Sequence, residues 1–140
     1  MIVLDTNVLS EIMRANPDEN VLTWLDSQYV HDLHITSITV SELLYGVARL
    51  AHGKRKTALR GAIESMLDGE LAGKVLAFDE TAARCYAILV AQREAQGRPI
   101  SSAVAQIAAI CHSRDAVLAT RNGKDFEATG VAVIDPWTAA

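Results

Sequence analysis

The sequence predicts an α/β fold in which helices cover both faces of a central, mostly parallel sheet. Three observations predict it. Short apolar runs alternate along the chain with longer segments of helical periodicity, the signature of strands joined by crossover helices. The first run, Met1–Leu4, is unbroken, as in a parallel strand buried on both faces. Half of the 140 residues are apolar but only 5% are aromatic, so the core is drawn from Ala, Val, Leu and Ile. That composition suits helices on a sheet better than a β-sandwich.

The elements follow in order. Met1–Leu4 is a strand. Thr6–Arg14 is a helix with Val8, Leu9, Ile12 and Met13 on one face. "PDENVLTWLDSQ" is a second helix, with Pro17 in its first turn and Val21, Leu22, Trp24 and Leu25 on its core side. "LHIT" (33–36) is a strand. Thr39 to Leu50 is a helix, and "TVSE" reads as a capping box with Thr39 as cap and Glu42 three residues on. Residues 54 to 70 form another helix. "KVLAF" (74–78) is a strand, Asp79 caps the long helix after it, and Gly97 ends that helix. Pro99 and Ser101 open the helix "SSAVAQIAAICHSR". "AVLAT" (116–120) and "VAVID" (131–135) are the last strands.

The chain reads as one domain over 1–140. No apolar run reaches the ~18–20 residues of a membrane span, and the start does not resemble a signal peptide; the expected location is cytoplasmic. Cys85 and Cys111 lie in apolar helical stretches and read as reduced packing residues. The net charge of −4 argues against generic nucleic-acid binding. Yet "RLAHGKRKTALR" holds Arg49, Lys54, Arg55, Lys56 and Arg60 with no acid among them. It is either a solvated helix start or a phosphate-contacting edge.

In such sheets, sites form outside the carboxyl ends of the strands, where strand order reverses. The polar groups there are Asp5–Asn7, Thr36–Ser37 leading to Glu42, and Thr120–Asn122. Each acid has an ordinary reading: Asp5 as a helix cap worth ~1 kcal/mol, Glu42 as half of its capping box, Asp125 as a loop acid. Together they suggest more. Clustered carboxylates repel unless a hard cation compensates, and Mg²⁺ or Mn²⁺ takes such oxygen ligands with waters and substrate phosphate. Acids gathered at one sheet edge therefore suggest metal-dependent phosphodiester hydrolysis.

The blocks "IVLDTNVLSE", "ITVSELLYGV" (38–47), "PISSAVAQIAAI" (99–110) and "LATRNGKDFEATGVAVIDPW" (118–137) resemble the PIN-domain family. The likeness is greatest to bacterial VapC-type toxins, including the FitB-like subgroup. It implies a three-layer α/β/α PIN-like domain and a Mg²⁺- or Mn²⁺-dependent endoribonuclease. It also implies a homodimer and a VapB-like antitoxin that inhibits it, with operator DNA reached only through that antitoxin. By the resemblance, Asp5 is the first acid and a direct metal ligand, Glu42 the second, Asn122 the fourth polar position and Asp125 a further acid. Thr6 and Asn7 steady the first acid, and Thr120 precedes the fourth position.

The third acid is missing. Family members read like "ISxADAQIAA", and here the acid's position is Val104. Ser101 and Ser102 are poor ligands for a hard dication, and neither Gln106 nor Asp115 matches the position. An inactivating substitution, a naturally weakened homologue, or replacement by another residue would each account for it. The first reading is a PIN/VapC-type endoribonuclease toxin acting on single-stranded or looped RNA. The alternative is a catalytically inactive binding module acting in an antitoxin–operator DNA complex.

Other features carry less. His31 and His34 do not share a face on a strand entry, so zinc is not expected there. Trp137 in "DPW" reads as packing for the C-terminal tail. "AARCYAILVAQ" and "VAQIAAIC" are more apolar than one core stripe needs, which fits a homodimer through these helices. The antitoxin is expected to lay a helix in a groove along the first three helices and insert a basic side chain among the acids.

Overall fold

The computed structural model describes residues 1–139. The strands are β1 (Ile2–Leu4), β2 (Leu33–Thr36), β3 (Val75–Leu76), β4 (Val117–Ala119) and β5 (Val133–Ile134). The helices are α1 (Thr6–Ile12), α2 (Glu19–Asp26), α3 (Ser37–Ala48), α4 (Lys54–Asp68), α5 (Glu80–Ala95) and α6 (Ser102–Ser113). Single 3-10 turns cover Val30–Asp32 and Gly123–Phe126. The five strands form one sheet in the order β3-β2-β1-β4-β5, and every pair is parallel.

Adjacent residues of β1 serve opposite layers, as the strand pleat requires. Val3 packs with Leu118 against α5 and α6, among Leu89, Ile107 and Ile110. Leu4 packs with Ile35 and Ala119 against the first four helices, among Val8, Leu9, Leu43 and Ile63. Both faces of the sheet are therefore covered, which gives the expected three layers. No helix among the described residues is long and apolar enough to cross a membrane.

Three local expectations need correction. The capping box does not exist as read: α3 starts at Ser37, and its cap is Thr36, whose hydroxyl accepts from the Thr39 N–H at 3.1 Å. Thr39 is inside the first turn, so Glu42 lies beyond any capping position. Pro17 precedes α2 instead of opening it, because Asp18 caps the helix by accepting from the N–H groups of Asn20 and Val21. The strands at 74–78 and 131–135 shrink to two paired residues each, at the two edges of the sheet where only one neighbour supplies hydrogen bonds.

The end of α5 is as expected in kind. Gly97 takes φ +69 and donates to Glu94 O, while Arg98 N donates to Arg93 O at 2.8 Å. This is a Schellman motif, and the left-handed glycine makes it possible. Ser101 caps α6 by accepting from the Val104 N–H at 3.3 Å. Val104 is thereby fixed in the first turn of that helix.

Candidate active site

The chain lays β1, β2 and β3 outward to one side, then returns to place β4 and β5 on the other side of β1. The order reverses between β1 and β4, and the crevice at their carboxyl ends is the expected site of such a sheet. Asp5 and Thr120 occupy it. Asp5 N donates to Ala119 O at 2.9 Å, and Thr120 Oγ1 donates to Asp5 Oδ2 at 2.7 Å. Asp5 Oδ1 accepts from Thr6 N at 2.8 Å, so the same carboxylate also caps α1. The residue that caps α1 therefore also stands in the strand-switch crevice.

The Thr120 hydroxyl has no freedom. It is fully buried, and its oxygen accepts from Asn7 Nδ2 and from Asn122 N, each at 3.1 Å. With both lone pairs taken, its proton must go to Asp5. Asn7 therefore acts on Asp5 through Thr120, while its Oδ1 accepts from Arg121 N at 3.3 Å. Burial pushes the Asp5 carboxyl above the ordinary value; the bonds from Thr120 and Thr6 pull it back, and the charge of Asp125 pushes it up again.

Glu42 stands on α3, one turn beyond the cap. Thr6 Oγ1 donates to Glu42 Oε1 at 2.7 Å. Thr6 Oγ1 also lies 3.2 Å from Thr39 Oγ1, but its single proton goes to the carboxylate. Thr6 thus steadies the first acid only by its backbone N–H; its side chain holds the second acid.

Asp5, Glu42, Val104, Asn122 and Asp125 line one cavity of about 570 Å³. The four polar positions read from the sequence are thus brought together, and Val104 places an isopropyl group where the resemblance expects an acid. Among the described residues, no three His, Cys, Asp or Glu side chains come together closely enough to form a metal-holding group.

Arg49, Lys54, Arg55 and Lys56 are not on this cavity. Arg49 lies over the Tyr45 ring at 5.6 Å, Lys56 Nζ donates to Ala48 O at 3.0 Å at the end of α3, and Arg55 lines a neighbouring groove between α1, α3 and α4. The cations on the acid cavity are Arg14 and Arg121, which the sequence reading missed, together with Glu11 and Trp137. The Glu11/Arg14 spacing of three was a legible signal for a helical ion pair; nothing in the sequence marked Arg121.

A further omission lies behind the cavity. Arg93 on α5 is only 6% exposed and donates to four backbone carbonyls: Arg98 O, Pro99 O, Asp125 O and Glu127 O. The first two belong to the loop before α6, the others to the loop that carries Asp125. One buried guanidinium thus joins the two loops that bring Val104 and Asp125 to the site. Arg98 and Glu127 join them again at the surface, at 2.7 Å.

The PIN domain family pattern matches residues 2–132. The chain belongs to the PIN-domain family. It is 44% identical to VapC ribonuclease Y4jK of Sinorhizobium fredii over 140 residues, 100% of both chains. It is 42% identical to Toxin FitB of Neisseria gonorrhoeae over 137 residues, 98% of this chain and 99% of the relative. Its fold matches the structure of FitAB bound to IR36 DNA with a TM-score of 0.93 at 40% identity, covering 100% of this chain and 98% of the other. The resemblance read from the four sequence blocks therefore holds.

The donor chemistry of this cavity is of the kind a hard divalent cation takes, while its carboxylates are not drawn into one metal-holding group among the described residues. The carboxylates of Asp5, Glu42 and Asp125 and the amide oxygen of Asn122 are such donors, and the fourth carboxylate, Glu11, is taken by Arg14 and Asp18 N. Each Asp5 oxygen accepts one hydrogen bond and keeps further acceptor capacity, and Glu42 Oε2 accepts none among the described residues. The upward push of Asp125 on Asp5 is a repulsion that a cation between them would relieve.

Proposed function

We propose that this chain is a VapC-type toxin whose cavity is a metal-dependent endoribonuclease centre, weakened at Val104 and restrained by a VapB-like antitoxin. The observation that carries the reading is the meeting of Asp5, Glu42, Asn122 and Asp125 in one cavity at the strand switch. Asp5, Glu42, Asp125 and Asn122 would hold Mg²⁺ or Mn²⁺. Such an ion supplies charge stabilisation for in-line phosphoryl displacement and lowers the pKa of water. The protein's part is to hold the acids still. Thr120 and the Thr6 N–H fix Asp5, Thr6 Oγ1 fixes Glu42, and Arg93 fixes the backbone of Asp125. The substrate is single-stranded or looped RNA, and the setting is the cytoplasm.

The likeness to FitAB bound to DNA supports an antitoxin partner that alone contacts operator DNA. The groove between α1, α3 and α4, about 710 Å³ and lined by Met13, Leu43, Val47, Leu50 and Leu59, suits the apolar face of a partner helix. Glu42 lines both groove and cavity, so a basic side chain from that helix would reach the acids. Ile88 on α5 is 62% exposed, which supports a homodimer across that helix.

Val104 favours a second reading, a catalytically silent module that keeps the groove and the dimer. The deciding experiment compares RNA cleavage by the native chain and by Val104→Asp, with Mn²⁺ and with chelator. Asp at this first-turn position faces the helix N-terminus and the Ser101 cap, so α6 tolerates the charge. Cleavage by Val104→Asp that chelator abolishes is expected. No cleavage of varied RNAs by either protein would leave the silent module standing.

A further inference from the structure

We propose that Arg14 and Arg121 form a preorganised track that grips the RNA backbone beside the acids. The inference deepens the ribonuclease reading and rests on it. These are the two cations on the acid cavity, and each is held so that its hydrogen-bond donors stay available.

Arg14 follows the end of α1. Its Nη1 donates to both oxygens of Glu11, at 3.1 and 3.3 Å. Glu11 is 5% exposed and also accepts from Asp18 N at 2.9 Å, so the anchor itself is fixed. Arg14 remains 66% exposed on the cavity rim. One nitrogen is spent on the anchor, and the rest of the guanidinium is free for a phosphate.

Arg121 is held differently. Its backbone N–H is fixed by Asn7 Oδ1, one residue from the threonine that bonds Asp5. Its guanidinium lies over the Trp137 ring at 4.8 Å, and Trp137 is tied to α2 by the Asn20 Nδ2 to Trp137 O bond at 3.1 Å. Among the described residues the Arg121 guanidinium donates no hydrogen bond, so the cation–π contact leaves its N–H donors open. Arg121 and Arg14 thus line the cavity from different elements, Arg121 just after β4 and Arg14 just past the end of α1. Two cations that enter one cavity from different elements can hold neighbouring phosphates of a single strand. Held arginines lose little freedom on binding. In a chain of net charge −4, two fixed cations at the reaction cavity give a local anion site that total charge conceals.

The test measures binding without turnover. A fluorescently labelled single-stranded RNA is titrated with the full chain in chelator, across a range of salt concentrations, by anisotropy. Arg121→Gln and the double variant Glu11→Gln/Arg14→Gln are compared with the native chain; the double variant leaves no unpaired buried carboxylate. Each is expected to weaken binding about tenfold and to reduce the slope of log K against log salt by about 0.7, the loss of one phosphate contact on a single strand. Combining them is expected to remove about 1.4. Arg84→Gln, which removes an exposed cation on α5 that does not line the cavity, is expected to leave the slope unchanged. Native-like slopes in both Arg14 and Arg121 variants, with RNA still bound, overturn the track alone. Failure of the native chain to bind any RNA overturns the track and the ribonuclease reading together.

Discussion

Thr6 donates its hydroxyl proton to Glu42 across 2.7 Å, and so ties the helix that follows the first acid to the helix that carries the second. The contact spans 36 residues of chain and needs the start of α1 and the second turn of α3 to face each other. Thr6→Val removes the donor while keeping the shape. Mn²⁺ affinity is expected to fall about 10–100-fold, the usual cost of losing a group that orients a ligand. Thr6→Ser restores the donor and is expected to recover most of it. Titration followed by the electron paramagnetic resonance of free Mn²⁺ reads both; equal affinities in native and Val proteins would remove Thr6 from the site.

Asp5 makes a prediction about pH. The unfolded chain loses this proton near 3.8, while burial and Asp125 hold it to higher pH in the folded chain. Between those values the folded state binds more protons, so this group's contribution to stability is full below 3.8 and is lost as pH rises through the raised value. Asp5→Asn has no such titration. The difference in Tm between Asp5→Asn and the native chain is therefore expected to move in the variant's favour from acid to neutral pH, without metal. Mn²⁺ is expected to raise the Tm of the native chain and not that of Asp5→Asn. A difference that stays flat with pH would contradict the burial argument.

The two cysteines should separate by reactivity. Cys111 is fully buried in α6, and burial together with the charge of Asp5 pushes its thiol from 9.0 to about 12; Cys85 is only half-buried. Iodoacetamide at mildly alkaline pH is expected to label Cys85 in the folded chain and spare Cys111, as peptide mass analysis would reveal. The unfolded thiol ionises near 9.0 and the folded one near 12, so stability should drain away over that window. Cys111→Ala is expected to flatten that part of the profile.

The order of elements was legible because apolar runs and caps are local signals. Asp79, Ser101 and Gly97 stand where helix ends need them, and each does what its residue type allows. Asp5 was legible as an acid at a strand end, Glu42 as one near a helix start and Asp125 as a loop acid. The capping box was misread because Thr36 and Thr39 both precede a helical run; the choice between them was made by Thr36 ending β2 beside β1 and β3. Arg121 and Arg93 escaped notice for a common reason. Their partners are an indole 16 residues away and carbonyls of other loops, and a sequence period marks neither, whereas the spacing of three between Glu11 and Arg14 was legible.

Arg93 joins the loops before α6 and around Asp125 without itself lining the cavity. Arg93→Met leaves four carbonyls without their donor and is expected to cost roughly 2–4 kcal/mol. Arg98→Ala breaks only the exposed ion pair with Glu127 and is expected to cost no more than about 1 kcal/mol. Stability alone would not separate a positioning role from a structural one. The separating measurement is a cycle with Asp125→Asn in the Val104→Asp background, scored by Mn²⁺ affinity. If Arg93 acts by holding the Asp125 loop, Arg93→Met lowers affinity about tenfold when Asp125 is present. It then has little further effect once Asp125 has lost its charge, because both changes remove one contribution. Arg93→Lys keeps a donor for one or two carbonyls and is expected to fall between. Additive losses in the cycle would mean that Arg93 supports the fold at large and not the position of Asp125.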